Sequence, residues 1–267
     1  MPTSTARPIA LITGASSGIG EALARNFALA GHDLVLIARS ADKLTALAGH
    51  LEAEHNVKTL VLPSDLAAPG SVQRLAATLK RRKRVPDVLV NCAGVLEQQH
   101  FVRLKPGNHQ AIIDLNISAL TAMLSHLLPL MVARGSGRVL NVASIAAFQP
   151  IPLLATYAAS KAYVLSLTES LSEELKGTGV TVTALCPGIT ATHMLNAATE
   201  ANGQLAKLPG FLIGNVDDVA REGFDACMRG DVICVPGMIN RAATLASRST
   251  PKWLLRRLSG MFARSAG

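Results

Sequence analysis

Short apolar runs recur along the chain, and each is followed by a stretch whose apolar residues are spaced three and four apart. The runs Pro8–Ile12, Leu34–Ile37, Thr59–Leu62, Asp87–Val90, Gly137–Val142, Val180–Leu185 and Val232–Val235 read as strands. Helical spacing lies between them, over 18–30, 41–55, 70–82, about 107–133, 156–176 and about 217–229. In the first helix Ile19, Leu23, Phe27 and Ala30 share a face, and Gly31 stands where a helix commonly ends in a left-handed residue. Strands that are apolar throughout have both faces covered, and their alternation with helices indicates a parallel sheet between two helical layers. The pattern predicts an α/β fold, one doubly wound domain with a roughly seven-stranded parallel sheet flanked by helices. No repeat or low-complexity linker interrupts 8–236, so the domain is expected over 1–236, followed by a basic tail over 237–267.

Composition narrows the class. Of 267 residues, 49% are hydrophobic and 16% charged, which excludes a disordered chain, because the apolar surface suffices to offset the entropy of ordering. No uninterrupted apolar run approaches the roughly 18 residues of a membrane span, and residues 1–7 show no apolar stretch of a secretory leader. Cys92, Cys186, Cys227 and Cys234 lack metal-binding spacing and read as reduced packing thiols of a cytoplasmic protein. The histidines form no zinc-type pair, so no metal is expected.

The net charge of +8 arises in two places, Lys80–Arg84 and the stretch from Arg241 onward, and no acid follows Asp231. The first reads as a solvated helix end whose cations face the carboxyl pole of the helix dipole. A nucleic-acid patch is the rival reading, but with aromatics at 3% a stacking platform is poorly supplied, and no nucleic-acid partner is expected.

Three constellations carry candidate chemistry. Thr13-Gly14-Ala15-Ser16-Ser17-Gly18-Ile19-Gly20 lies where the first strand turns into the first helix. Glycines there allow a tight turn and close approach of a pyrophosphate to the free amides at the helix start. The second strand ends in Arg39 and Ser40, with Lys43 one turn on, where an NAD site usually has an acid for the ribose. A guanidinium there suits a 2′-phosphate, with Ser40 or Ser16 assisting, although an exposed Arg at a strand end is common in itself. Tyr157 and Lys161 are four apart on one helix face, where an ammonium is expected to lower the phenol pKa toward the working pH of a general acid or base. Ser144 ends the fifth strand and Asn91-Cys92-Ala93-Gly94 the fourth, and ligands of open parallel sheets bind at such strand ends.

These residues resemble the short-chain dehydrogenase/reductase family from Pro8 to about Gly237. Thr13–Gly20 matches the family's Thr-Gly-x-x-x-Gly-x-Gly, and Asn91–Gly94 matches Asn-Asn-Ala-Gly with Cys92 at the second Asn. Asn116, Ser144, Tyr157 and Lys161 match the four catalytic positions, Pro187-Gly188 with Thr190 and Thr192 the segment touching the nicotinamide, and Asp65 the acid near the adenine. Ser-Asp-Leu at 64–66 is also a good helix start.

The resemblance implies a Rossmann-type fold that binds NADP(H). Cofactor contacts are expected at Gly14, Ser16, Ser17, Gly18, Ile19, Gly20, Arg39, Ser40, Asp65, Leu66, Asn91, Ala93, Gly94, Tyr157, Lys161, Pro187, Gly188, Ile189, Thr190 and Thr192. It further implies that Tyr157 protonates a carbonyl oxygen held by Ser144, that Lys161 binds the nicotinamide ribose, and that Asn116 anchors a water. A homodimer or homotetramer is implied, with 107–133 and 156–176 at the interface.

The substrate side is expected between Ile145, Ala146, Ala147, Phe148, Leu153 and Leu154 and the segment from His193, Met194 and Leu195 to about Leu212, with mobility over 190–214. With Lys207 as its one cation, this lining favours a small apolar carbonyl or alcohol. Lys252–Arg264 reads as a basic amphipathic helix, which can contact a membrane peripherally, pack on a subunit partner or cover the substrate mouth. The rival to an enzyme is a catalytically idle dinucleotide-binding regulatory or scaffold protein.

Overall fold

The computed structural model describes residues 7–190 and 213–250. The apolar runs form β1 (Ile9–Thr13), β2 (Asp33–Ile37), β3 (Thr59–Val61), β4 (Val88–Asn91), β5 (Gly137–Val142), β6 (Val180–Leu185) and β7 (Ile233–Cys234). All pair in parallel, in the order β3-β2-β1-β4-β5-β6-β7. The helices are α1 (Gly18–Leu29), α2 (Ala41–His55), α3 (Ser71–Arg81), α4 (Pro106–Ile113), α5 (Leu120–Arg134), α6 (Ala155–Glu174), α7 (Val216–Arg229) and α8 (Met238–Ser249).

Successive side chains in a strand point to opposite faces, so a strand apolar at every position feeds two cores. Ala10 and Ile12 of β1, Leu34 and Leu36 of β2, and Val88 and Val90 of β4 meet Leu23 and Phe27 of α1, Leu44 of α2 and Val219 of α7. Their neighbours Leu11, Val35, Ile37 and Leu89 join Leu75 of α3, Leu124 and Met131 of α5 and Val164 of α6 on the other face. Arg134 at the end of α5 ties the lower rim, donating to Pro86 O at 2.9 Å and pairing with Asp87 at 3.2 Å, while Asp87 Oδ2 accepts from Ile9 N at 2.7 Å.

The long helix expected over 107–133 differs in detail. Six residues, Asp114–Ala119, form a π-helical turn between α4 and α5, so the span Pro106–Arg134 is continuous but locally widened. That span is long and apolar enough to cross a membrane by length and composition, which a search for uninterrupted apolar runs does not reveal. Ile112, Leu120, Met123, Leu124, Leu127, Leu128 and Met131 are buried in the protein, as expected of a core helix. Residues past the expected boundary at 237 form α8, which packs on the turn Ile145–Phe148 after β5.

The basic run has local partners. Lys80 and Arg81 lie in the last turn of α3, where cations oppose the negative helix pole, and Arg84 approaches Asp33 at 3.7 Å.

Candidate active site

The sheet order reverses between β1 and β4, so the chain leaves these neighbouring strands toward opposite faces and opens a crevice above their carboxyl ends. The loops after β1 to β6 line one cleft of about 1080 Å³ there. Thr13 fixes its floor: its hydroxyl donates to Val90 O at 3.2 Å and accepts from Cys92 N at 3.0 Å and Ala93 N at 3.1 Å.

The dinucleotide end is shaped for close backbone approach. Gly14 has φ +69°, and a Cβ there would stand 2.9 Å from the Ala93 backbone; a Cβ on Gly20 would run into Gly14 O. Ser17 is the N-cap residue of α1 yet makes no capping bond, which leaves the helix-start amides and its hydroxyl for a ligand in the cleft. Arg39 and Lys43 line the same end and have no acidic partner among the described residues. Glycine turn, uncapped helix start and unpaired cations together fit a dinucleotide carrying a 2′-phosphate.

The sequence-predicted positions Gly14, Ser16, Ser17, Gly18, Ile19, Gly20, Arg39, Ser40, Asp65, Leu66, Ala93, Gly94, Ser144, Tyr157, Lys161, Pro187, Gly188, Ile189 and Thr190 all line this cleft. Asp65 does so while its Oδ1 accepts from Ala67 N at 3.1 Å within a turn; the helix start its sequence context also suggested does not form there, as α3 begins at Ser71. Asn91 stands apart: its side chain turns beneath the cleft, where Nδ2 donates to Asn141 Oδ1 at 2.9 Å, and Asn141 donates to Thr168 at 2.9 Å. The register pairing Asn91 with Asn141 is the reason, since it sets two amides side by side in a buried layer. Thr192, His193, Met194, Leu195 and Lys207, most of 190–214 and the helix expected over 252–264 lie outside the described residues.

At the reaction end, Ser144 follows β5 and caps the turn Ile145–Phe148, and Tyr157 and Lys161 face the cleft from α6. Lys161 Nζ donates to Val142 O at 2.9 Å and sits 5.7 Å from the Tyr157 ring centre. Burial pushes the Lys161 ammonium down to about 8, against a smaller pull upward from the Cys92 and Cys186 thiols. Burial likewise raises the Tyr157 phenol above its ordinary value, and the Ser144 side chain pulls it the other way. The direction is opposite to the lowering expected from Lys161, because desolvation of the phenolate outweighs the opposing Ser144 hydrogen bond. Burial also pushes the Cys92 thiol up to about 12, so this cleft-lining cysteine stays protonated.

Asn116 lies in the π turn, and its side chain is committed to protein partners. Oδ1 accepts from Val95 N at 2.9 Å, and Nδ2 donates to Val95 O at 3.0 Å and to Ser160 Oγ at 3.1 Å. Ser160 Oγ in turn donates to Tyr157 O at 2.7 Å. Through these bonds the side chain clamps the chain after β4 to the turn of α6 that bears Tyr157. Sequence reasoning missed Ser160, since a serine between Tyr157 and Lys161 carries no signal without knowledge of what faces it.

The substrate side departs from expectation. Ile145, Ala146 and Leu154 line the cleft, but Phe148 and Ala147 pack into the core and Leu153 turns back with φ +69°. Leu96, Gln98, Ala111, Leu115, Gln149 and Ile151 take part in their stead.

Comparison with known proteins agrees with this geometry. The family described as short chain dehydrogenase matches residues 8–203. A curated relative, an NADPH-dependent pterin aldehyde reductase of Arabidopsis thaliana, is 34% identical over 200 residues, covering 74% of this chain and 81% of its own. A solved short-chain dehydrogenase from Sphingobium yanoikuyae in complex with NADPH superposes with a TM-score of 0.81 at 33% identity, covering 90% of this chain and 92% of that one. L-Sorbose reductase from Gluconobacter frateurii, complexed with NADPH and L-sorbose, gives a TM-score of 0.76 at 26% identity, covering 90% and 99%. The chain is an oxidoreductase and belongs to the short-chain dehydrogenase family.

Proposed function

We propose that the protein is an NADP(H)-dependent oxidoreductase that interconverts a carbonyl and a secondary alcohol on a largely apolar substrate, with Tyr157 as general acid and base. The observation that carries this reading is the meeting of Ser144, Tyr157 and Lys161, from two separate elements, with the glycine turn and Arg39 in one cleft. NADPH-bound relatives support the choice of coenzyme.

The chemistry a bound nicotinamide supplies is hydride transfer to or from the carbon that bears the oxygen. Around it the chain does the rest. Ser144 donates a hydrogen bond to the substrate oxygen and stabilises its developing charge. Tyr157, kept protonated by burial, gives its proton to that oxygen in reduction and takes it back in oxidation. Lys161 uses one donor on Val142 O and keeps the others for the ribose hydroxyls. Asn116 is a positioning residue, holding the wall at Val95 against α6 through Ser160. The aliphatic lining from Leu96, Leu115, Ile145, Ile151 and Leu154 excludes water and favours an apolar substrate frame.

Tyr157→Phe tests the reading directly. It keeps the ring packed and removes the proton donor, so kcat for ketone reduction with NADPH should fall about a hundred- to ten-thousand-fold while NADPH still binds. A Phe variant that turns over at near wild-type rate removes Tyr157 from its role.

A further inference from the structure

The cleft occupies the carboxyl ends of the strands. A second recess, of about 550 Å³, lies at the opposite rim, where β1 and β2 begin. Arg7 enters it just before β1, Asp33 opens β2, Asn56 and Lys58 lie between α2 and β3, and Lys83 and Arg84 follow α3. Four cations from three stretches of chain thus meet one acid. The gathering is made by the fold and is not the Lys80–Arg84 run alone.

The backbone sets the positions. At the end of α3, Arg84 N donates to Leu79 O at 2.9 Å and Lys83 N to Lys80 O at 3.0 Å. Lys83 has φ +52° there, the place at a helix end that glycine usually takes. Arg7 donates to Asn56 O and keeps its other donors. Asp33 is already engaged: Oδ1 accepts from Lys58 N at 2.9 Å and Oδ2 stands 3.7 Å from Arg84. The acids of the flanking segments are engaged too, Asp87 with Ile9 N and Arg134, and Glu52 with Thr59.

The charges do not cancel. Helices α2 and α3 both end at this recess, and each carboxyl pole carries about half a negative charge, so the poles and Asp33 together offset about two of the four cations. Lys58 and Lys83 are exposed and have no acidic partner among the described residues. Cations that merely complement helix poles would leave no such surplus. A concave surplus of positive charge favours a compact anion of several charges, because all the cations then act on one centre.

We propose that this recess is an anion site, remote from the cleft, for a multiply charged phosphate group such as a diphosphate, presented by a free phosphoester or by a lipid headgroup.

Pyrophosphate titrated calorimetrically into the NADP-saturated protein at constant ionic strength tests it, since the dinucleotide cleft is then filled. Wild type should bind pyrophosphate at one site. The double variant Lys58→Gln, Lys83→Gly should bind it about tenfold more weakly or worse, the size of one lost charge-assisted bond. Both positions are exposed and glycine suits the backbone at 83, so NADPH binding by the variant should be unchanged. No saturable binding by wild type, or equal binding by wild type and variant, overturns the proposal. So does sulfate bound as tightly as pyrophosphate, because the recess would then answer to any anion. Phosphatidylcholine vesicles with and without phosphatidylinositol bisphosphate tell the sources apart. Retention by the bisphosphate vesicles that is lost in the variant assigns a lipid headgroup, and pyrophosphate binding without such retention assigns a free phosphoester. No turnover is needed, so the outcome is independent of the carbonyl-reductase reading.

Discussion

Tyr157 and Lys161 share a helix face four residues apart, yet burial governs both. A phenol raised above its ordinary value is proton-bearing at neutral pH, which suits reduction, where it must donate. Oxidation needs the phenolate, so its rate should climb as pH is raised into the alkaline range while reduction stays flat and then falls, measured as initial rates in both directions. Arg39 makes the complementary prediction at the far end of the cleft. Arg39→Asp should raise the KM for NADPH about 10- to 100-fold, the size of a lost charge-assisted bond, and leave the KM for NADH nearly unchanged. At this scale much was legible in the sequence. The glycine turn, Ser144, Tyr157 and Lys161 declare themselves by residue type and by position at strand ends. The work of Asn116 and Ser160 was not legible, because an amide or a hydroxyl takes its meaning from whatever stands opposite, and the partners of Asn116 come from distant stretches of chain.

Among the elements, the strands were read within a residue or so, since apolar runs between turns have few other interpretations. The π turn at Asp114–Ala119 was invisible because its side chains keep ordinary helical spacing; the widening lies in the backbone bonds. The contribution of α8 to the site was equally hidden. Its residue Asn240, which donates to Pro236 O at 2.8 Å, stands so close to the loop after β6 that a Cβ on Gly188 would lie 2.5 Å from Nδ2 and 2.6 Å from Oδ1. Gly188→Ala should therefore destabilise the protein by about 1–3 kcal/mol, as overpacking does. Asn240→Ala added to it should restore most of that loss, and a double-mutant cycle by chemical denaturation measures the coupling.

For the whole molecule, the buried Lys161 makes one contribution to the pH dependence of stability. Its folded value of about 8 lies below the ordinary 10.5, so the unfolded chain binds the proton more readily between these values. The contribution of Lys161 to stability should accordingly rise as pH increases through that window, its cost being fully present below it, while above about 9 the buried thiols of Cys92, Cys186, Cys227 and Cys234, raised from 9.0, pull the total the other way. Lys161→Met should flatten the rise, which amounts to at most about 3 kcal/mol at roughly 1.4 kcal/mol per pH unit. Denaturant unfolding of both proteins across the window is the measurement. The fold class followed from alternation alone. The strand order did not, since nothing local in β4 states that it lies beside β1 and not β3.

That placement of β4 beside β1 divides the chain by task. The cleft's glycine turn, Arg39, Ser40 and Lys43 come from residues up to about Ala67, and its Ser144, Tyr157 and Lys161 from the part of the chain after Asn91. The seam falls in α3, whose solvent side bears neither. A chimera joined there, meant to exchange one nicotinamide coenzyme for the other, would have to match more than the hydrogen-bonded edge between β1 and β4, because α1 packs on α7 and α3 on α5 across the same division.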